Sequence, residues 1–133
     1  MLGLSLYLFA HVACFTFQDC SDGTSIVKVK EISFKPDPII RNANITVHGA
    51  ASVSEDIDSG ECEVVLKKLS IPILKKKLTL EEYGLTFAKG EYDETQTFET
   101  PAIVPPGSYT YTGQCKKGDK FIVCLAGKVD FKN

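Results

Sequence analysis

Apolar and polar residues alternate along several stretches of the chain, with the period of two that is typical of strands with one buried face. The clearest stretch begins at Ile45 and ends at Val53, where apolar or small residues occupy every odd position. His48 lies at an even position in this stretch and is expected to point away from the core. The same period occurs at residues 62–66, 109–112 and 121–131. These stretches predict half-buried strands.

The first predicted strand contains a change of phase. Val27 and Val29 lie at odd positions, whereas Ile32 and Phe34 lie at even positions. A strand that keeps one buried face through such a change needs an extra residue or a bend. We therefore expect a bulge near residues 30–31.

Turn signals separate the predicted strands. They lie at residues 36–38, 58–60, 89–90, 105–107 and 117–119. Residues 69–80 are interpreted as an edge strand, because Pro72 cannot donate a hydrogen bond within a central strand. The spacing of the turns and the lack of a helical period predict an all-β sandwich that forms a single domain.

The N-terminal segment has the character of a targeting sequence. Residues 2–13 are mostly apolar and carry no formal charge, but they are too few to span a hydrocarbon layer of about 30 Å. We interpret residues 1–14 as a signal peptide, with cleavage after Ala13 as the alternative to cleavage after Cys14. The competing interpretation is a buried N-terminal strand. Residues 15–133 then form the mature domain, secreted or delivered to the endolysosomal lumen.

A secretory route would place the remaining cysteines in an oxidising compartment. They are Cys20, Cys62, Cys115 and Cys124. Their even number predicts two disulfides, and the count alone leaves all three pairings open. A zinc site is disfavoured, because the chain has no C-x-x-C motif and His48 is the only histidine beyond the signal peptide. In the same compartment the sequon Asn44-Ile45-Thr46 predicts glycosylation at Asn44.

Charge and motif content argue against two large classes of function. The formal net charge of the 133-residue chain is −2, from 15 Lys and Arg against 17 Asp and Glu, so a nucleic-acid partner is not expected. A single histidine on a polar strand face offers no base for a catalytic triad, and no glycine loop for phosphate is present. The sequence therefore predicts neither an enzyme nor a cofactor.

Lysines cluster in the middle of the chain. They are Lys67 and Lys68, followed by Lys75, Lys76 and Lys77. A turn near residues 70–72 would bring the two groups together, and such a patch would contact an anionic membrane surface. The alternative is a solvated edge whose lysines prevent strand-to-strand aggregation.

Short motifs in a fixed order resemble the ML lipid-recognition family. They are Phe17-Gln18-Asp19-Cys20, Pro36-Asp37-Pro38-Ile39-Ile40, Asn44-Ile45-Thr46-Val47, Pro105-Pro106-Gly107-Ser108-Tyr109-Thr110 and Phe121-Ile122-Val123-Cys124. The resemblance implies an immunoglobulin-like sandwich of two antiparallel sheets with an apolar cavity between them. It also implies a Cys20–Cys124 disulfide and leaves Cys62 and Cys115 as a second pair. Residues 80–89 lack the short-range disulfide that many members carry.

The resemblance implies non-enzymatic lipid binding and transfer, with one sterol, phospholipid or glycolipid held between the sheets of a monomer. By strand parity and family position, eight residues are expected to line the cavity: Val64, Leu66, Phe98, Ile103, Tyr109, Tyr111, Phe121 and Val123. The tyrosine hydroxyls are expected to anchor a head group. Two alternatives remain: a module that presents lipid to a receptor or a hydrolase, and a sandwich without a ligand.

Overall fold

The computed structural model describes residues 15–100 and 104–133, so the predicted signal peptide and Ile103 lie outside the described residues. Nine strands and one short 3-10 helix occur in the described part. They are β1 (Gln18–Asp19), β2 (Val27–Lys35), β3 (Ile39–Ile40), β4 (Asn44–Val53), β5 (Glu61–Lys68), β6 (Ile71–Thr79), the helix Glu81–Tyr83, β7 (Gly90–Glu99), β8 (Gly107–Lys117) and β9 (Lys120–Lys132). No helix in this part of the chain is long or apolar enough to cross a membrane.

The strands form two sheets. The larger has the order β1-β9-β8-β5-β6, and β3 adds to β9 as a short parallel strand. The smaller has the order β2-β4-β7, with antiparallel neighbours. The predicted all-β sandwich is confirmed, and β6 is the edge strand that Pro72 indicated.

The change of phase in the first long strand corresponds to a bulge. The pairing of β2 with β4 shifts between Val29 and Glu31, as the sequence predicted. Beyond the shift, Ile32 pairs with Gly49 and Phe34 pairs with Val47. The extra residue keeps apolar side chains on the inner face along the whole strand.

The core consists of two separate clusters, one at each end of the sandwich. The first cluster contains Ile26, Val53, Ile57, Cys62, Leu80 and Ile122. The second cluster contains Ile39, Ile45, Leu66, Val104, Tyr109 and Val129. On β5, Cys62 and Leu66 are 8% and 7% exposed, whereas Val64, on the same face between them, is 41% exposed. The middle of the sandwich is therefore not filled by side chains.

Two disulfides connect the elements. Cys20–Cys124 joins the segment after β1 to β9, with the Cα atoms 5.0 Å apart. Cys62–Cys115 joins directly opposed residues of β5 and β8, with the Cα atoms 4.0 Å apart. These are the pairs that the family resemblance implied.

Candidate functional site

A cavity of about 420 Å³ lies between the two sheets. Its volume is within the range of roughly 300 to 1,000 Å³ that is typical of small-molecule sites. Apolar side chains dominate its wall: Val27, Val29, Ile32, Val47, Ala51, Val53, Tyr92 and Phe98 from the smaller sheet, Ile122 and Val123 from the larger, and Ile57, Leu80 and Phe87 from the connections. Such a wall suits an apolar guest.

Two glycines leave the middle of the cavity open. Gly49 on β4 and Gly113 on β8 have the inward parity of their strands, because Gly49 pairs with Ile32 and Gly113 pairs with Val64. A Cβ atom at Gly113 would meet no atom within 4 Å, and one at Gly49 would meet only the carbonyl oxygen of Glu31, at 3.9 Å. Glycine within a strand often marks a place where a ligand approaches the backbone closely, so Gly49 and Gly113 could have indicated the cavity from the sequence.

A second bulge shapes the wall of the larger sheet. Cys115 pairs with Val123 and Lys116 pairs with Phe121, so Ile122 is an extra residue on β9. Adjacent residues at a bulge both turn toward one face, and Ile122 and Val123 both line the cavity.

The sandwich is closed on one side and open on the other. On the closed side, the backbone N–H of Ile26, just before β2, donates to the carbonyl of Phe121 on β9. On the other side, β6 and β7 are the free edges of their sheets, and no strand pairing joins them in the part of the chain that the structure describes. Phe98 of β7 lines the cavity and is 51% exposed, so the cavity opens toward this edge.

A few polar residues interrupt the apolar wall. Glu94 and Gln96 lie on the inner face of β7, opposite Gly49 and Val47 of β4. Glu31 also borders the cavity at the bulge of β2, but its carboxylate lies 3.5 Å from His48 on the outer face. The wall thus combines a large apolar surface with a small number of polar groups near the free edge, which is the usual composition of a site that orients an amphiphile.

The structure places the predicted wall residues at different depths. Phe98 and Val123 line the cavity. Val64 has the inward parity and lies between the two clusters. Leu66 and Tyr109 are buried in the second cluster, at the end of the cavity rather than along it.

The tyrosine hydroxyls are already engaged. Tyr109 donates to the carbonyl of Pro105 at 2.6 Å, and Tyr111 donates to the carbonyl of Thr16 at 2.9 Å. Burial raises the pKa of Tyr111 to about 12. Both hydroxyl protons are therefore donated within the protein, where they fix the chain near the second cluster.

Phe121 faces away from the cavity. It pairs with Lys116, whose ammonium lies 4.5 Å from the centre of the phenyl ring. In sequence Phe121 has the parity of Val123, but the bulge at Ile122 turns the two side chains to opposite faces. Phe121 is therefore not part of the wall, contrary to the prediction.

His48 points outward from the smaller sheet, as its parity indicated. Its Nε2 lies 2.6 Å from a carboxylate oxygen of Asp93, and its Nδ1 lies 3.5 Å from Glu31. The hydrogen bond to Asp93 is the main cause that raises the pKa of His48, because it favours the charged imidazolium. This histidine belongs to a surface ion pair and not to the cavity.

The chain is similar in sequence to a known family and to several known proteins. The family model described as ML domain matches residues 14–131. A phosphatidylglycerol/phosphatidylinositol transfer protein of Mycosarcoma maydis is 26% identical over 126 residues, which cover 86% of this chain and 65% of that protein. A protein of the same name from Eremothecium gossypii is 31% identical over 120 residues, which cover 83% of this chain and 56% of that protein. The chain thus spans about 60% of the length of these relatives.

Solved structures share the architecture. A Niemann-Pick type C2 protein from the Japanese carpenter ant superposes with a TM-score of 0.64 at 23% identity, covering 89% of this chain and all of the other. Chicken MD-1 in complex with lipid IVa has a TM-score of 0.64 at 14% identity, covering 87% of this chain and 88% of the other. At these identities the likeness concerns the fold.

Proposed function

The chain belongs to the ML domain family, and on this basis we propose that it binds one lipid molecule between its sheets and carries it between membranes. The observation that carries the proposal is the unfilled apolar cavity between the two core clusters. The guest is an amphiphile of the sterol, phospholipid or glycolipid class. Two curated relatives are named phosphatidylglycerol/phosphatidylinositol transfer proteins, which supports a phospholipid.

The cavity offers a physical reason for transfer. Each methylene group that leaves a membrane for water costs about 0.8 kcal/mol, so an acyl chain crosses water slowly without help. A cavity lined by residues such as Val29, Val47 and Phe98 removes most of this cost. The chemistry needs no reacting group, because the lipid is unchanged when it is released.

The lipid content of the purified protein tests the proposal. We expect extraction of protein from its native host to yield one lipid per chain by mass spectrometry. Delipidated protein should take up a fluorescent fatty acid or sterol and pass it to acceptor vesicles. Absence of bound lipid together with absence of uptake would overturn the proposal.

We place this activity in an oxidising compartment, either secreted or in the endolysosomal lumen. Two disulfides are typical of proteins that mature there. Asn44 is the first residue of β4 and is exposed, which supports its use as a glycosylation site in such a compartment.

We also propose that the hairpin of β5 and β6 contacts an anionic membrane. Strand alternation divides the lysines expected there: Lys75 and Lys77 lie on the outer face, beside Glu63, whereas Lys76 shares the inner face with Val64. At the tip of the hairpin, Leu69 is 90% exposed. An exposed apolar tip that directly follows Lys67 and Lys68 suits an anionic bilayer surface.

Neutralising the outer lysines is expected to weaken membrane binding. Lys75→Gln with Lys77→Gln should lower affinity for phosphatidylserine vesicles by about 2 kcal/mol, roughly thirtyfold, because each lysine near the surface contributes about 1 kcal/mol. Vesicle co-sedimentation at low salt measures the change. Lys28→Gln with Lys30→Gln, on the outer face of β2 in the smaller sheet, is the matched control and should bind as the unmodified protein does. Binding that does not rise with the anionic lipid fraction would contradict this contact.

A further inference from the structure

The backbone next to Phe15 is held by contacts on three sides. The N–H of Thr16 donates to the carbonyl of Lys128 at 2.9 Å, and the hydroxyl of Thr16 accepts from the N–H of Lys128 at 3.0 Å. The carbonyl of Thr16 accepts from the hydroxyl of Tyr111 at 2.9 Å. A Cβ atom at Gly127 would clash with that carbonyl oxygen, so glycine permits this close approach. These contacts fix where Phe15 lies.

The ring of Phe15 is part of the hydrophobic interior. It packs against the second cluster. Its centre lies 5.5 Å from that of Tyr111, with the planes nearly parallel, and 4.5 Å from that of Phe34, in an edge-to-face arrangement. Aromatic pairs of both kinds stabilise a fold beyond the area that they bury. The core thus includes the first residue after the predicted signal peptide.

A carboxylate lies beside the backbone nitrogen of Phe15. The nitrogen is 3.4 Å from an Oδ atom of Asp37, in the loop between β2 and β3. No lysine, arginine or histidine pairs with Asp37 in the described part of the chain. Within a longer chain this nitrogen is an amide with a single hydrogen. As a chain terminus it would be an ammonium at neutral and acidic pH, and a charged donor binds a carboxylate more strongly.

The cysteine count distinguishes the two cleavage positions that the sequence left open. Cleavage after Ala13 would leave Cys14 as a fifth cysteine, while the other four form two disulfides. A leftover thiol in an oxidising compartment tends to form bonds between molecules. Cleavage after Ala13 would also move the ammonium one residue away, and consecutive Cα atoms are about 3.8 Å apart. Both observations favour cleavage after Cys14.

We propose that the chain is cleaved between Cys14 and Phe15, and that the new ammonium of Phe15 forms an ion pair with Asp37. Hydrolysis adds one water molecule across the amide bond. The carboxylate leaves with Cys14, and the amine stays on Phe15 and keeps the proton. The enzyme that this step needs is a signal-peptide-cleaving protease of the secretory route. Cleavage thereby adds an ion pair at the end of the sandwich that holds the second cluster.

The N terminus of the secreted protein tests the cleavage position. The chain of residues 1–133 is expressed in a eukaryotic secretory host, deglycosylated, and analysed by intact mass and N-terminal sequencing. We expect the sequence to begin Phe-Thr-Phe. A chain that begins at Cys14 or at any other residue, or that keeps residues 1–14, would overturn the proposal.

A double-mutant cycle tests the ion pair. One parent begins at Phe15, and the other carries one extra serine before Phe15, which moves the ammonium away. In the first parent, Asp37→Asn should lower the melting temperature by about 2 °C, the effect of an exposed ion pair in a domain of this size. In the extended parent the shift should be close to zero, because the oxygen of asparagine still accepts from an amide N–H.

A matched control and the salt dependence complete the test. Asp119→Asn changes an exposed carboxylate in the turn between β8 and β9 and should have the same effect in both parents. The difference between the parents at Asp37 should shrink at high salt, since exposed ion pairs are screened. Equal shifts for Asp37→Asn in both parents would show that Asp37 does not bind the ammonium. Neither experiment depends on a bound lipid.

Discussion

Replacing Gly49 with leucine is expected to remove lipid binding and to leave the fold intact. Gly49 lies on the central strand of the smaller sheet and lines the cavity, where a Cβ atom has ordinary space. A leucine side chain occupies the volume of about four methylene groups, so the guest loses about 3 kcal/mol of transfer energy, more than a hundredfold in affinity. Displacement of a fluorescent fatty acid measures the loss.

Stability separates a filled cavity from a damaged fold. Glycine within a strand is unfavourable by roughly 0.5 to 1 kcal/mol, so a well-fitting side chain at position 49 should keep or raise the melting temperature. Thr95→Leu adds an apolar side chain to the outer face of β7, where Thr95 pairs with His48, and should not change affinity. Full lipid affinity in Gly49→Leu would show that the guest does not occupy this cavity.

Removing the Cys20–Cys124 disulfide is expected to have the largest effect on stability. The bond closes a loop with a sequence separation of 104 residues. Restricting a loop of this length stabilises the native state by about 4.7 kcal/mol in the chain-entropy model. Since small domains are stable by only about 5 to 15 kcal/mol, Cys20→Ala with Cys124→Ala should lie near the limit of folding. Urea denaturation followed by circular dichroism measures the difference.

The second disulfide provides a comparison within the same protein. Cys62–Cys115 closes a separation of 53 residues, for which the same model gives about 4.2 kcal/mol. Its loss should also alter lipid affinity, because Cys115 lines the cavity, whereas Cys20 and Cys124 do not. Under reducing conditions both disulfides are absent, so the free energy of unfolding of Cys20→Ala with Cys124→Ala should be close to that of the reduced unmodified protein. If removing Cys20–Cys124 lowered the free energy of unfolding by less than about 1 kcal/mol, the estimate from loop length would be wrong.

Most of the strand layout could be predicted from residue alternation. Residues 45–53 alternate cleanly, because one side of β4 packs inward and the other faces water, and the structure has β4 there. The bulge of β2 was visible in the same pattern, since apolar residues change from odd to even positions. Periodicity is a reliable signal where a single face is buried over several residues.

The wall of the cavity was harder to predict, because it depends on pairings between distant strands. Phe121 and Val123 share a parity in sequence, but the bulge at Ile122 is set by the pairing with β8 and turns only Val123 inward. Tyr109 and Tyr111 have the expected parity, yet backbone carbonyls at Pro105 and Thr16 take up their hydroxyls. Neither partner is adjacent in sequence.

The inward parity of Lys76 and of Glu94 was missed for a related reason. Lys75, Lys76 and Lys77 were read as one patch, whereas a strand sends neighbouring residues to opposite faces. Glu94 lies between polar residues in sequence, and its inward direction follows from its pairing with Gly49 and from the equal parity of Tyr92 and Phe98, which line the cavity. Alternation, applied to the lysines, would have singled out Lys76.

The gap between the two clusters also bears on how the empty protein comes apart. Val64 lies between Cys62 and Leu66 on β5 but belongs to neither cluster, so the two clusters are connected through the strands that they share and not through common side-chain contacts. Each end can then loosen on its own, as regions with few shared contacts do. A bound lipid that contacts both clusters would couple them into one cooperative unit. The lipid would then complete the hydrophobic core between the two clusters.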